Sequence, residues 1–391
     1  MPKVSVVMAS YNHEKFVAET IQSVLDQTYQ DFEFIITDDG SPDRTVEVIK
    51  KFADPRIKLF CFSKNHGACV AMNNCIKEAN GEYIAVINSD DAWMPEKLEK
   101  QVKFLDEHPE NGAVFGYAQF IDDYSNDLGS DHHYNQIFIQ PNRTRFEWLR
   151  LFFESGNCLC HPSVLIRKQC YNEVGFYDER FAQLPDFDFW IRLCIKYDIF
   201  IMPENLVKFR LCQSQGNASG NTPKNSSRVT LEWAQILKNY LRAEIFDDLV
   251  NIFPLTENIN EIGLSRKINE VERDLAPFFI AMLAIRDNRH AHKYFCFDVL
   301  YQMYSKKDLA QKLRDQYSFD FSNLVNLAWE QDIFGIVALD RLQSQLHETE
   351  TLLQQSQSQL HQTESVLEES QSQLHQTQQE LEESQSQLHQ T

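Results

Sequence analysis

Basic residues are scarce in this sequence. Its 391 residues include 37 lysines and arginines against 57 aspartates and glutamates, which gives a formal net charge of −20. A nucleic-acid-binding surface needs many cationic side chains to contact phosphates. The charge balance therefore argues against a nucleic-acid-binding protein, although it leaves binding of a single nucleotide open.

Long apolar runs are also missing. The longest candidate, residues 276–285 (APFFIAMLAI), is about half as long as the roughly 20 residues that a membrane-spanning helix requires. We therefore expect a buried helix there and no transmembrane segment. The chain enters an apolar strand at Lys3, which leaves no room for a secretory leader. These features predict a cytoplasmic protein, with peripheral association with a membrane as an option.

The nine cysteines include no Cys-x-x-Cys pair, and the two that lie closest in sequence are Cys158 and Cys160. An odd number of scattered cysteines is typical of free thiols in a reducing compartment.

Apolar residues make up 43% of the chain and include 28 phenylalanines, enough to build the cores of two or three domains. Between residues 3 and 119, strand-like segments alternate with helical ones. The strand-like segments are KVSVVMA, FEFIITD, IKLFCF, YIAVIN and AVFGYAQ. Such alternation predicts an α/β fold with a parallel sheet covered by helices on both faces. Residues 120–215 show a mixed pattern, with further strands expected at 163–167, 199–202 and 206–211.

A polar stretch at residues 213–227, QSQGNASGNTPKNSS, marks a domain boundary by its Gly, Asn, Ser and Pro content. The pattern that follows is helical to about residue 340. We therefore expect three parts: a catalytic domain over 1–220, a helical region over 221–340 and a tail over 341–391. Within the helical region, Arg289, His290 and His292 are expected to form a solvated helix face rather than a metal site.

The tail is a repeat of fourteen residues, because SQSQLHQT begins at 356, 370 and 384. Leucine recurs every seventh residue from Leu346 to Leu388, which predicts a left-handed coiled coil. The second core position of each heptad holds serine or threonine, as at Thr349 and Ser356. Only one core position in each heptad is apolar, so the alternatives are weak self-association, a single solvated helix or partial disorder. Residues 341–391 carry eight glutamates and one basic residue, Arg341.

Acidic side chains follow several predicted strands. Asp90 and Asp91 come directly after the buried strand at 83–87, and Tyr11 and Asp39 follow the first two strands. Since the carboxyl ends of parallel strands form the ligand-binding edge of such a sheet, these side chains are expected to meet there. Two adjacent carboxylates repel each other unless a cation or hydroxyl groups satisfy them. Ordinary turns before helices are the alternative, because aspartate is common there.

The motifs SYN, DDGS, SDD and GFYDERFAQLPDFDFWIRL occur in this order, and in combination they resemble the inverting family 2 glycosyltransferases of the GT-A fold over residues 2–215. The resemblance implies a Rossmann-like domain that binds a nucleotide-diphosphate sugar in its first half and an acceptor in its second. The helical region and the coiled-coil-like tail lie outside it.

Carried over position by position, the resemblance implies binding of the nucleotide sugar by one set of residues and of a metal, Mn²⁺ or Mg²⁺, by Asp91. In this interpretation Tyr11 stacks on the base, Asp39 accepts its N–H and Asp90 contacts the ribose. Arg210 is a candidate to hold the diphosphate, with a surface ion pair as the alternative. The nucleotide-sugar-binding set is Ala9, Tyr11, Asp39, Asp90 and Arg210.

The catalytic base implied by the resemblance is Asp186, with Asp188 as the second candidate. Aromatic side chains follow Asp186, and they are expected to shield its carboxylate from water. The structural alternative is that Asp186 is only the N-cap of a helix. The family has a glutamate before the base, whereas this chain has Pro185, so the acceptor is less defined. One base and direct attack predict a single displacement with inversion.

Three functions compete on these residues. The leading one is metal-dependent transfer of one sugar from a UDP- or dTDP-sugar to a hydroxyl of a glycan, a lipid-linked glycan or a protein, in cell-surface polysaccharide or glycoconjugate synthesis. A GDP-sugar stays open, because guanine also presents N–H donors. A non-catalytic scaffold that presents the tail to a partner is the second. Nucleotidyl transfer is the third, and the missing Gly-rich basic loop near the first strand argues against it.

Overall fold

The computed structural model describes residues 1–129, 136–212, 222–254, 272–333 and 335–388. They divide into two compact units, Met1–Phe321 and Ser322–Thr391. The first unit contains eight strands in one sheet, whose spatial order is β3-β2-β1-β4-β7-β6-β8-β5. The strands are β1 (Val4–Ser10), β2 (Phe32–Asp38), β3 (Ile57–Cys61), β4 (Tyr83–Val86), β5 (Ala92–Trp93), β6 (Asn111–Ile121), β7 (Leu165–Arg167) and β8 (Asp198–Arg210).

The helices of the first half alternate with the strands, as the sequence pattern predicts, and the later ones follow one another. Helix α1 illustrates the cause, because Val17, Ile21 and Val24 fall on one face and are fully buried. The helices are α1 (Val17–Leu25), α2 (Thr45–Ile49), α3 (Ala68–Glu78), α4 (Lys97–Glu107), α5 (Arg145–Ser155), α6 (Lys168–Val174), α7 (Pro185–Lys196), α8 (Pro223–Ile236), α9 (Ala243–Asp247), α10 (Leu249–Ile252), α11 (Ala276–Ala284), α12 (His290–Tyr304), α13 (Lys307–Tyr317), α14 (Phe321–Gln331) and α15 (Ile336–Leu388).

The sheet is mixed, so the expectation of a parallel sheet is correct only in part. Strands β3, β2, β1 and β4 are parallel, and β6 is parallel to β8. Strand β7 lies antiparallel between β4 and β6, and β5 pairs antiparallel with β8. The reversed strands are two and three residues long, too short to show a pattern in the sequence. Of the two strands expected at 199–202 and 206–211, the structure makes one continuous strand, β8.

The core of the sheet comes from strands that are buried on both faces. Every residue of β2 and β4 is buried, which explains why β4 is apolar throughout and β2 is apolar at four of its seven positions. The parallel register aligns Ser10 at the end of β1 with Asp38 at the end of β2. Val7 of β1 pairs with Val86 at the end of β4. The three central strands therefore end at the same edge of the sheet.

The helical region packs its apolar side chains against α5 and α7, as in the contacts of Phe153 with Tyr240 and of Phe187 with Trp233. Helix α11 is buried along most of its length, as expected for residues 276–285. His292 on α12 is also completely buried, and its Nε2 lies 2.8 Å from the backbone oxygen of Phe153. The expectation of a solvated face is therefore wrong for His292, because α12 is apolar on most sides and offers no wide polar face. Residues 213–221 of the predicted boundary lie outside the described residues.

Helix α15 dominates the second unit and runs without a break over 53 residues. The leucines at its seven-residue repeat are exposed. In the described part of the chain, no helix combines the length and the apolar character that crossing a bilayer demands.

Candidate functional site

The carboxyl-end edge of β1, β2 and β4 gathers most of the predicted site residues. Ala9 is a half-buried residue of β1, and Tyr11 follows that strand with 43% of its surface exposed. Asp39 follows β2, and its N–H donates to the backbone oxygen of Ser10 at 2.9 Å. Asp90 and Asp91 follow β4. The structure therefore brings the predicted nucleotide-binding residues to one edge.

Asp39 holds the loop that leads into α3. Its two carboxylate oxygens accept the N–H groups of His66 at 2.7 Å and Gly67 at 2.8 Å. The neighbouring Gly40 has φ +72°, and a Cβ there would lie 2.6 Å from the backbone of Lys64. Glycine is required at this position because a side chain would be both strained and blocked. Since a carboxylate has about four acceptor sites and two are in use, Asp39 keeps about two sites for further donors.

The two adjacent aspartates have different surroundings. Asp91 is buried, and its oxygens accept the backbone N–H of Arg210 at 2.8 Å and the side-chain amide of Asn88 at 2.9 Å. Asp90 has its Oδ2 4.0 Å from Nε2 of His13. Among the described residues, no other residue donates a hydrogen bond to the Asp90 carboxylate. Asp90 therefore has more acceptor sites open to a ligand than Asp91 has.

Burial raises the pKa of both carboxylates. For Asp90 the loss of solvation is the largest effect, and the neighbouring His13 opposes it. For Asp91 burial and then the charge of Asp90 raise the pKa well above its usual range. Two buried carboxylates side by side form an environment that a cation would stabilise.

Arg210 is a buried residue of the site's supporting structure. Its Nε–H donates to the backbone oxygen of Asp90 at 2.8 Å, and its Nη1 donates to that of Asp122 at 2.7 Å. Its Nη2 donates to Glu19 at 2.6 Å and to the hydroxyl of Ser125 at 3.0 Å. Arg210 therefore does form an ion pair, with Glu19, but its own guanidinium is only 1% exposed while the Glu19 side chain is 41% exposed.

His13 is a site residue that the sequence analysis missed. Its Nδ1 lies 2.7 Å from the hydroxyl of Ser89, and its backbone N–H donates to Thr45 at 2.9 Å. Its other ring nitrogen points towards Asp90. The signal available in the sequence was its position, two residues after Tyr11 in the loop that follows β1.

Asp186 lies in the first turn of α7 and is half-buried. The N-cap of that helix is Leu184, so the interpretation of Asp186 as the N-cap is wrong. The side-chain amide of Asn157 donates to Asp186 Oδ2 at 2.8 Å, which fixes the orientation of the carboxylate.

Asp188, the second candidate for the base, has a structural role. Its Oδ2 accepts a hydrogen bond from Arg192 Nε at 2.8 Å, and its Oδ1 accepts one from Asn239 at 2.8 Å. Both members of the Asp188–Arg192 ion pair are buried. Both oxygens of Asp188 are thus already paired, which leaves Asp186 as the carboxylate suited to accept a proton.

The segment 157–161 lies close to both acidic groups, Asp186 and the pair Asp90 and Asp91. Burial raises the pKa of the Cys160 thiol, and the charge of Asp91 adds to this effect. Burial lowers the pKa of His161, and the charge of Asp186 opposes it. Since such effects weaken with distance, Asp91 lies near Cys160 and Asp186 lies near His161, and Asp186 also accepts the hydrogen bond from Asn157.

Glu232 of α8 supports the loop before Asp186 and was also missed. Its carboxylate accepts three backbone N–H groups, from Ala182 and Leu184 at 2.9 Å and from Gln183 at 2.8 Å. No short motif indicated this, because Glu232 lies about fifty residues further along the chain and only the fold brings it to the loop.

The carboxylates of Asp90 and Asp91 fit a site in which the protein and the substrate both supply ligands to a divalent cation. Mg²⁺ and Mn²⁺ prefer oxygen, and in phosphate-transferring sites one or two carboxylates and substrate phosphates bind them. Over the described ranges, no cluster of three or more His, Cys, Asp or Glu side chains forms a complete metal site. Asp90 has more open acceptor sites than Asp91, whose oxygens accept two protein hydrogen bonds, so Asp90 fits such a shared site better.

Comparisons with known proteins agree with this geometry. The family model described as Glycosyl transferase family 2 matches residues 5–174. An uncharacterized glycosyltransferase of Methanocaldococcus jannaschii is 34% identical over 216 residues, 54% of this chain and 71% of that protein. The UDP-Glc:alpha-D-GlcNAc-diphosphoundecaprenol beta-1,3-glucosyltransferase WfgD of Escherichia coli is 30% identical over 228 residues, 58% of this chain and 83% of that protein.

Among solved structures, S. aureus TarS 1–349 in complex with UDP-GlcNAc superposes with a TM-score of 0.50 at 18% identity, covering 85% of this chain and 91% of that one. This likeness concerns the fold. Together with the family match, it confirms the expected fold, a GT-A domain followed by helices.

Proposed function

The chain belongs to glycosyltransferase family 2, and from this premise we propose that it transfers one sugar from a UDP- or dTDP-sugar to an acceptor hydroxyl in cell-surface polysaccharide or glycoconjugate synthesis. The relative WfgD, named for a UDP-Glc donor and a diphosphoundecaprenol-linked acceptor, supports a uridine nucleotide and a lipid-linked glycan acceptor. All nine cysteines are free, which supports a cytoplasmic location, since free thiols are typical of reducing compartments.

The observation that carries this proposal is that the segment 157–161 lies close to both acidic groups: Asn157 donates a hydrogen bond to Asp186, and the charge of Asp91, next to Asp90, acts on Cys160. The diphosphate of the donor would lie near Asp90 at the sheet edge, with Tyr11 stacked on the base and Asp39 accepting its N–H. The acceptor hydroxyl would lie near Asp186. The sugar would then be bound between a leaving group and a base, as a direct displacement requires.

In the proposed mechanism, Asp186 Oδ1 or Oδ2 accepts the proton of the acceptor hydroxyl. The hydroxyl oxygen forms a bond with the anomeric carbon while the bond from that carbon to the diphosphate oxygen breaks. Attack from the side opposite the leaving group inverts the configuration. Asn157 keeps the Asp186 carboxylate oriented, and Glu232 fixes the loop that precedes it.

A divalent cation, Mn²⁺ or Mg²⁺, would neutralise the charge that develops on the departing nucleotide. We propose Asp90 as its protein ligand in place of Asp91. Arg210 then serves the donor site by holding the backbone at Asp90 and the carboxylate of Asp91, rather than by direct contact with the diphosphate.

A screen of nucleotide sugars tests the proposal. The purified chain should release UDP or dTDP from one of them with Mn²⁺ present, and Asp186→Asn should abolish transfer to an acceptor while UDP still binds. A chain that binds UDP but turns over no nucleotide sugar with any tested glycan acceptor would instead support the scaffold function. A chain that binds no nucleotide would contradict the proposed transfer reaction.

A further inference from the structure

Helix α15 carries a regularly spaced row of exposed leucines on a largely polar surface. The leucines at the first heptad position, a, are between 57% and 60% exposed. The helix is about 80 Å long at 1.5 Å per residue. A stripe of this length with a seven-residue period matches the seam of a coiled coil. These leucines are Leu339, Leu346, Leu353, Leu360, Leu367, Leu374 and Leu381.

We infer that α15 pairs with α15 of a second copy of this chain as a parallel, in-register, two-stranded coiled coil. The inference rests on helix α15 alone and does not depend on the proposed reaction. Three features of the helix lead to it: its polar core positions, its flanking residues and the distribution of its charges.

The polar core positions, d, are compatible with burial. Hydroxyls at four of them already donate to the backbone oxygen four residues earlier, at 2.8 or 2.9 Å. A buried hydroxyl is costly mainly when it lacks a partner, so burial of these groups leaves no unsatisfied donor. Threonine also presents its methyl group to the seam. The four residues are Thr349, Thr363, Ser370 and Thr377.

The start of the helix has a complete apolar core. Leu342 occupies position d between Leu339 and Leu346, and it is 61% exposed. Leu352, directly before Leu353, widens the stripe at the flanking position g. Residues 339–353 therefore supply the densest apolar contacts, from which pairing along the thinner remainder can extend.

A parallel arrangement places leucine against leucine. In a parallel pair each a residue faces the same residue of the other strand, whereas an antiparallel pair sets each leucine against serine or threonine. Leucine pairs bury more apolar area, which favours the parallel form. The narrow stripe favours two strands, because larger bundles also bury the e and g positions, and glutamine fills most of these.

The glutamates do not oppose this register. In a parallel, in-register pair, each g residue faces the e residue five positions later on the partner strand. Glu350 would face Gln345, Glu364 would face Gln359, and Glu380 would face Gln385. The other five glutamates of the tail lie at the outer positions b and c. No pair of like charges faces across the seam, although the overall negative charge makes association stronger at higher salt.

The mass of the full chain in solution tests the inference. Light scattering at micromolar concentration in about 0.3 M salt, where acidic tails are screened, should give twice the 45.8 kDa of one chain. The double variant Leu346→Glu, Leu353→Glu should be monomeric. Its matched control, Thr351→Glu with Ser358→Glu, adds the same charge at the outer position f and should stay dimeric. A monomeric wild type, or a trimer, would overturn the inference.

Cysteine cross-linking tests the register. Thr349→Cys and Thr377→Cys, made separately, should each form a disulfide-linked dimer under mild oxidation, above the background of the unchanged chain. Ser365→Cys at position f should not. In an antiparallel pair, residues 349 and 377 cannot each lie opposite the residue of the same number in the partner strand, so at least one of the two cross-links would fail. Failure of either cross-link would therefore contradict the parallel arrangement.

Discussion

Glu232 Oε2 accepts a hydrogen bond from the backbone N–H of Leu184 at 2.9 Å. Leu184 is the N-cap of α7, and that helix has no side-chain cap of its own at this end. Glu232, from a different helix, α8, instead accepts the N–H of the N-cap residue itself and of the two residues before it. The position of Asp186 in the first turn of α7 therefore depends on a residue outside the matched segment 5–174.

Replacement of Glu232 should impair the reaction without weakening donor binding. Glu232→Ala leaves three backbone N–H groups without their acceptor, and each unsatisfied group costs about 1–3 kcal/mol if it stays buried. The loop should therefore move, and kcat should fall at least about tenfold because small displacements of a base are costly. Steady-state kinetics and UDP titration measure the two effects. Glu244→Ala, at an exposed position of α9, is the control and should change neither.

Asp186→Asn should lower activity, whereas Asp188→Asn should lower stability. The first removes the proposed base, so transfer should fall about 10²- to 10⁴-fold with little change in Tm. The second breaks the buried pair with Arg192, which should cost about 3 kcal/mol of stability and lower Tm. Differential scanning calorimetry and acceptor-dependent UDP release separate the two. A large loss of donor binding in Asp186→Asn would reassign that residue.

Replacement of each of the two aspartates after β4 should have a different effect: Asp90→Asn on the Mn²⁺ dependence of UDP binding, and Asp91→Asn on stability. Asp90→Asn should remove the gain in UDP affinity that Mn²⁺ provides, while Tm stays unchanged or rises, because a buried charge is lost. Asp91→Asn turns an amide donor towards the amide of Asn88, so it should lower stability by about 1–2 kcal/mol. Calorimetric titration of UDP with and without Mn²⁺ distinguishes them. If Asp91→Asn alone abolished the Mn²⁺ effect at unchanged Tm, Asp91 would be the ligand.

Tyr11→Ala should weaken UDP binding by about 1–3 kcal/mol, the usual contribution of a base stacked on an aromatic ring. Tyr11→Phe keeps the ring and should bind UDP nearly as well as the unchanged chain. Tyr301→Ala, which removes an exposed tyrosine of α12, should have no effect on the titration. Equal affinity of all three variants would exclude stacking on Tyr11.

The sequence predicted where the polar strand ends meet, because alternation of strands and helices fixes which ends share an edge. It also predicted the position of Asp186 near the start of α7. It did not predict the separate surroundings of Asp90 and Asp91, since the donor to Asp91 is the backbone of Arg210, 119 residues away. For the same reason, the sequence did not predict the roles of Asp188, His13 and Glu232. Each depends on a contact that only the folded chain creates.

The bond between Arg210 and Asp91 limits how far this protein can be shortened. A fragment that ended at residue 174 would keep the SDD motif but lose β8, and the Asp91 carboxylate would face a solvent-filled gap in the sheet. A fragment that ended just after β8 would restore that partner and still lack Glu232. The shortest active truncation should therefore extend through α8, well beyond residue 174, where the match to the family model ends.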